Sequence, residues 1–83
     1  MNRDEVFDAI DAERVRQGEK WSHWHRWGYG DCSQQGLLLP VKVAVLTEEV
    51  GEVARAVLDG DKDQLRAELV QVAAVAVAWL ESL

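Results

Sequence analysis

The 83-residue sequence is poor in several things, and each scarcity excludes something. It has one cysteine, Cys32, so no disulfide forms within the chain, and a reducing, cytoplasmic setting is expected. It has one proline, Pro40, and no alternating apolar runs bounded by turn dipeptides, so β-structure is not expected to dominate. The longest near-apolar run, residues 69–80 with Gln71 inside it, is well short of the roughly 20 residues a membrane span needs. It reads as a buried helix, and no membrane partner is expected. Residues 1–5 carry acids where a secretion leader would carry an apolar run, so no leader is expected. There are no internal repeats and no low-complexity tracts.

Positive charge is also scarce. Nine Lys and Arg stand against 15 Asp and Glu, a formal net charge of −6. Residues 1–42 hold 6 basic and 7 acidic side chains, residues 43–83 hold 3 and 8, so the acidity sits in the second half. That balance argues against a duplex nucleic-acid partner, whose affinity comes largely from Lys and Arg on phosphates. At 48% hydrophobic and 29% charged residues, the composition is that of a folded chain. A domain of this size has a thin stability margin, and association with a second copy is a common remedy.

The pattern predicts an all-α domain over residues 1–83, with helices near 2–17, 40–58 and 62–82 and a Trp-rich loop over 18–39. Asn2 suits the first N-cap, with Asp4 and Glu5 in the first turn. Val6, Ile10, Glu13, Arg14 and Gln17 share one arc of helix 1, apolar at its start and polar at its end. That end either leaves the core or faces a site. Pro40 suits the first turn of helix 2 and Gly60 its C′ position. Val43, Leu46, Val50, Val53 and Val57 predict its core stripe, and a second stripe runs Val41, Val45, Glu49, Glu52, Ala56. Asp61 and Gln64 have capping-box spacing at the start of helix 3. Its middle is apolar nearly all round, with Glu68 inside the stripe Leu65, Val72, Val75, Trp79 and Gln71 at its edge. Three helices cannot cover such a helix, so a four-helix-like core completed by dimerisation is expected, as a homodimer or a dimer of dimers.

Three carboxylates, Glu49, Glu52 and Glu68, therefore interrupt apolar faces of two helices joined by a tight turn. Antiparallel packing would gather them in a half-buried space, where they cannot all ionise without compensation. A hard divalent cation compensates them naturally, because Mg²⁺ takes oxygen ligands and usually brings substrate phosphates. The competing reading is a solvated acidic face. Arg14, Arg16, Lys20 and Arg26 could clamp phosphates from the other side, and Trp21, Trp24, Trp27 and Tyr29 could stack on a base or cap the bundle. His23, His25, Asp31 and Cys32 lack the spacing of a zinc site, and no base is placed to make Cys32 a nucleophile.

Glu48-Glu49-Val50-Gly51-Glu52, a 15-residue spacer, then Glu68-Leu69-Val70-Gln71 resembles the MazG-type all-α nucleoside triphosphate pyrophosphohydrolases, whose signature is E-E-x-x-E, a spacer and E-x-x-D. The resemblance spans residues 41–83. Arg14, Gln17, Lys20 and Trp21 resemble the basic-aromatic segment that follows the first helix in that family, and residues 24–39 carry no resemblance. The resemblance implies cleavage of a (d)NTP to the monophosphate and pyrophosphate with Mg²⁺, or Mn²⁺ in its place. It implies Glu49, Glu52 and Glu68 as metal ligands, Gln71 at the fourth ligand position, and Glu48 as an accessory acid that holds another ion or orients the attacking water. Arg14, Gln17, Lys20 and Trp21 would then touch the substrate. The departure is Gln71 where the signature has Asp, a weaker ligand for a hard cation. Gln71 then binds the metal through its carbonyl oxygen or a water, contacts substrate, leaves the site catalytically weak, or is a satisfied core amide. Its presence is the argument for one rival, a non-catalytic helical interaction module with a degenerate site, and a metal-dependent phosphatase or ATPase is the second.

Overall fold

The computed structural model describes residues 1–83. It contains three helices, α1 (Arg3–Lys20), α2 (Leu39–Asp59) and α3 (Lys62–Glu81), and a small antiparallel hairpin between the first two, β1 (Trp24–His25) and β2 (Gly28–Tyr29). The architecture is all-α. Helix α3 packs on both α1 and α2, while α1 and α2 do not approach each other. That explains why α3 is apolar on so many sides: it is the shared wall of two helix pairs.

Helices α1 and α3 start where the sequence supplies a capping side chain, and α2 starts at a proline without one. The Asn2 side chain accepts from the Glu5 N–H at 2.8 Å, and the Glu5 side chain reaches back to the Asn2 N–H. Helix α1 runs through Gly18 to Lys20 rather than ending near Gln17. A mid-helix glycine costs only about 1 kcal/mol relative to alanine, and Gln17 is buried in the last turn. Helix α2 begins at Leu39 with Pro40 in its first turn and ends at Gly60, whose φ of 67° favours glycine. At the start of α3 only half of the expected capping box forms. Asp61 accepts from the Gln64 N–H at 3.0 Å, but the Gln64 side chain turns away to Glu68.

The loop is more ordered than its composition suggests. Two residues, Arg26 and Trp27, join the hairpin strands, with Trp24 opposite Tyr29. His25 Nε2 donates to the Gly30 carbonyl at 2.8 Å. Gly30 has φ of 81°, and a Cβ there would stand 2.5 Å from Gln34 Cγ, so no other residue fits without a shift. After the hairpin the chain turns inward, and Cys32 and Leu37 join Val75 and Ala78 of α3 in the core.

Helix α2 corrects one expectation. Val43, Val50 and Val57 are 50%, 50% and 59% exposed, so three of the five residues of the predicted core stripe are not buried within this chain, while Leu46 packs against the core. The face of α2 turned to α3 carries Lys42, Val45, Glu49 and Ala56. Periodicity identifies a face that favours burial, not the surface that covers it. Lys42 is 1% exposed, and its Nζ donates to Ser82 Oγ at 2.7 Å, tying the start of α2 to the end of α3.

Arg14 ties three elements together. Its guanidinium donates to Asp31 Oδ2 at 2.8 Å and to Glu81 Oε2 at 2.9 Å, joining α1 to the loop and to the end of α3. Burial alone would raise the Asp31 carboxyl, but hydrogen bonds from Ser33 and Arg14 outweigh it and hold it below its ordinary 3.8. The stabilisation it gives is present above that value and is lost as pH falls below it. Asp31→Asn should therefore cost about 2 kcal/mol near neutral pH. In thermal melts the gap from the parent should close as the buffer is taken below pH 3.8.

Candidate functional site

Because α1 and α2 both lean on α3 without meeting, a cavity of about 800 Å³ remains between them. Gln71 and Val75 of α3 form its floor. One wall is the last turns of α1, with Arg16, Gln17, Lys20 and Trp21. The other is the first half of α2, with Val41, Ala44, Val45, Glu48 and Glu49. The loop closes the end through His25, Trp27, Cys32 and Leu37. Two cations thus face two carboxylates across a half-apolar space large enough for a nucleotide.

The acidic wall has a defined inner layer. Glu68 is 7% exposed, and its two oxygens are taken by two amides of its own helix. Gln64 Nε2 donates to Oε1, and the Gln71 NH₂ donates to Oε2 at 3.2 Å. The same Gln71 NH₂ donates to Glu49 Oε2 at 2.8 Å, so one amide joins α2 and α3 at the cavity floor. The amide is assigned this orientation from its neighbours, because its oxygen would otherwise face only acceptors.

Burial pushes the Glu49 carboxyl above its ordinary 4.5, and the negative charges of Glu68, Glu48, Glu52 and Glu13 push it further. Glu49 thus stands in a field of like charges that the single bond from Gln71 relieves only in part.

The sequence-predicted residues divide into three groups. Glu48, Glu49, Gln71, Gln17, Lys20 and Trp21 all line the cavity. Glu68 lies beside it, reached through Gln71. Two others stand apart. Arg14 is committed to Asp31 and Glu81 and does not line the cavity. Glu52 is exposed and makes no hydrogen bond within the protein, and no three acidic, His or Cys side chains stand close enough to share an ion. The expected three-carboxylate cluster is therefore a pair, Glu49 and Glu68, with an amide between them.

Arg16 takes the cationic place expected of Arg14. It lines the cavity, and its guanidinium pairs with Glu13 at 2.6 Å, which raises its pKa. Its spacing of four from Lys20 is the signal that places both on one face. His25, Trp27 and Leu37 also line the cavity, brought there by the hairpin and the segment after it. Burial and the neighbouring Asp31 push the Cys32 thiol up, the wrong direction for a nucleophile.

Residues 41–82 match the model of the MazG nucleotide pyrophosphohydrolase domain. The matched segment is half of the chain and contains all of α3 and nearly all of α2, so the chain belongs to this family. Searches of curated proteins and of solved structures return no significant match.

The field at Glu49 has a measurable consequence. A carboxyl raised in the folded state costs stability as pH rises through and above its ordinary value. Glu49→Gln should therefore raise the melting temperature of the metal-free protein at pH 7. The gain should vanish below pH 4.5, where the parent carboxyl is protonated in both states.

Proposed function

We propose that the protein hydrolyses nucleoside triphosphates to the monophosphate and pyrophosphate, using Mg²⁺ or Mn²⁺ held at the acidic wall. The observation that carries this reading is the Gln71 amide at the floor of a nucleotide-sized cavity, which links Glu49 on one wall to Glu68 just behind it, while the opposite wall carries Arg16 and Lys20. The family match supports the same reaction class.

The donor chemistry fits a hard cation. The groups there are carboxylate and amide oxygens, the ligand types Mg²⁺ prefers, and two of the carboxylates already share one amide. Glu49 and Glu68 would hold the ion, Glu52 would join from the next turn of α2, and Gln71 would offer its carbonyl oxygen. When bound, the ion would neutralise phosphate charge and polarise the phosphoryl oxygens.

The chain's own residues supply the rest. Lys20 and Arg16 bind the phosphates from the α1 side, where their charges complement the triphosphate. Trp21 offers a ring face to the base, and Gln17, buried in the wall, offers an amide to a polar edge. Glu48 orients the attacking water and accepts its proton. The water oxygen bonds to the α-phosphorus, the bond from that phosphorus to the bridging oxygen breaks, and pyrophosphate leaves with the bridging oxygen. Alignment and charge neutralisation account for most of the acceleration.

A second copy of the chain is the proposed partner. Leu39, Val43, Leu46, Val50, Val53 and Val57 recur at alternating steps of four and three along α2, the spacing of a two-helix seam. Four of the six are exposed and two half-buried. On α3, Leu69, Ala73, Ala76 and Leu80 repeat the spacing, with Leu69 and Leu80 exposed. Packing two such α2–α3 pairs face to face gives a four-helix core. Sedimentation at micromolar concentration should report about twice or four times 9.3 kDa, and Val50→Glu should shift the protein toward monomer.

The activity is tested by incubating natural and damaged (d)NTPs with Mg²⁺ and scoring pyrophosphate. At least one should be converted, and Glu49→Gln and Glu68→Gln should each lower kcat/KM by about 100-fold or more with helix content retained. Release of phosphate instead of pyrophosphate would assign a phosphatase. No turnover of any triphosphate would favour the interaction-module reading, for which Gln71 in the Asp position is the supporting feature.

A further inference from the structure

The amide at position 71 does something in this structure that a carboxylate there cannot. With its NH₂ group inward it donates to Glu49 Oε2 and Glu68 Oε2 together, and Gln64 covers the remaining oxygen of Glu68. Glu68 is 7% exposed, and a buried carboxylate is tolerated only when it is hydrogen-bonded. Here both of its oxygens are bonded without any cation. An Asp at 71 would instead bring a third negative charge to the same point, and only a cation would relieve it.

We propose that Gln71 is a reversible latch on the metal site. In the metal-free protein its NH₂ holds Glu49 and Glu68 together. When an ion is bound, the amide turns about its last side-chain bond and presents its carbonyl oxygen. That torsion is broad and roughly two-fold, so donor and acceptor exchange places without movement of the helix. The latch also sets the order of binding. The metal-free site is hydrogen-bonded and carries one negative charge fewer than a site with Asp, so a free divalent cation gains too little to open it. The ion enters with the triphosphate, whose phosphates engage Lys20 and Arg16 across the cavity. This inference rests on the metal-dependent reading proposed above.

The test uses the full chain, labelled with ¹⁵N, and follows the Gln71 side-chain NH₂ resonance together with the melting temperature. The resonance is assigned by its loss in Gln71→Asp. In the parent, millimolar Mg²⁺ alone should leave both the resonance and the melting temperature unchanged. Mg²⁺ with a non-hydrolysable (d)NTP should move the resonance and raise the melting temperature. Gln71→Asp should melt below the parent without metal, and Mg²⁺ alone should raise its melting temperature by about 5 °C or more.

A parent that responds to Mg²⁺ alone as strongly as Gln71→Asp overturns the latch. So does a Gln71 resonance that stays in place when Mg²⁺ and the nucleotide analogue stabilise the protein. If neither protein responds to any combination of Mg²⁺ and analogue, the nucleotide reading itself fails and the latch falls with it. That outcome is told apart because Gln71→Asp then gains nothing from Mg²⁺.

Discussion

A buried carboxylate on the central helix constrains much of this molecule. Helix α3 is shared between α1 and α2, and Glu68 sits in the part of it that is closed to water. The cost of that charge must be met locally, and two amides at i−4 and i+3 meet it. Several features follow. Gln64 forgoes the second bond of its capping box to serve Glu68. Gln71 faces inward although it stands at the edge of an apolar stripe. Because the same amide reaches Glu49, the hydrogen bonding of Glu68 also joins α2 to α3 at the floor of the cavity.

The arrangement of three helices has a second consequence. Two helices that lean on a third without touching leave a wedge between them, and the wedge here has walls of opposite charge. The end of α1 brings Arg16 and Lys20, and α2 brings Glu48 and Glu49. The hairpin and the segment after it close the wedge and anchor it to the core through Cys32 and Leu37. Arg14, the most committed cation on α1, holds this closure in place through Asp31 rather than facing the cavity. Its ion pairs are partly shielded from water, so they contribute more than a surface pair would. The proposed chemistry suits such a space, because a triphosphate with its metal needs an anionic and a cationic wall at once.

One face of the α2–α3 pair has no cover within the chain. Its exposed valines and leucines repeat at seam spacing, and they account for apolar surface that the cavity and the α1 contact do not use. The cavity lies on the α1 side of the pair and the uncovered face on another, so association through that face leaves the cavity walls within one chain.

The sequence alone determined the helices, the caps of α1 and α3, and the residue types of the candidate site. Three- and four-residue periodicity, Asn2, Pro40, Gly60 and Asp61 are local signals, and a helix responds to local signals. The carboxylates at 49, 52 and 68 were legible because they interrupt apolar stripes, while Glu48 and the place of Gln71 were legible only through the family signature. Which stripe is buried within the chain was decided only by tertiary packing. The valine stripe of α2 and the face carrying Lys42 and Glu49 are both helical faces, and the placement of α3 chose between them. Packing also took Arg14 from the cavity and put Arg16 there, since residues two apart point in different directions and only the position of the loop tells which one meets Asp31. The bridging role of Gln71 joins residues 22 positions apart, and its amide could donate to Glu49 only once two helices had brought the carboxylates to one point.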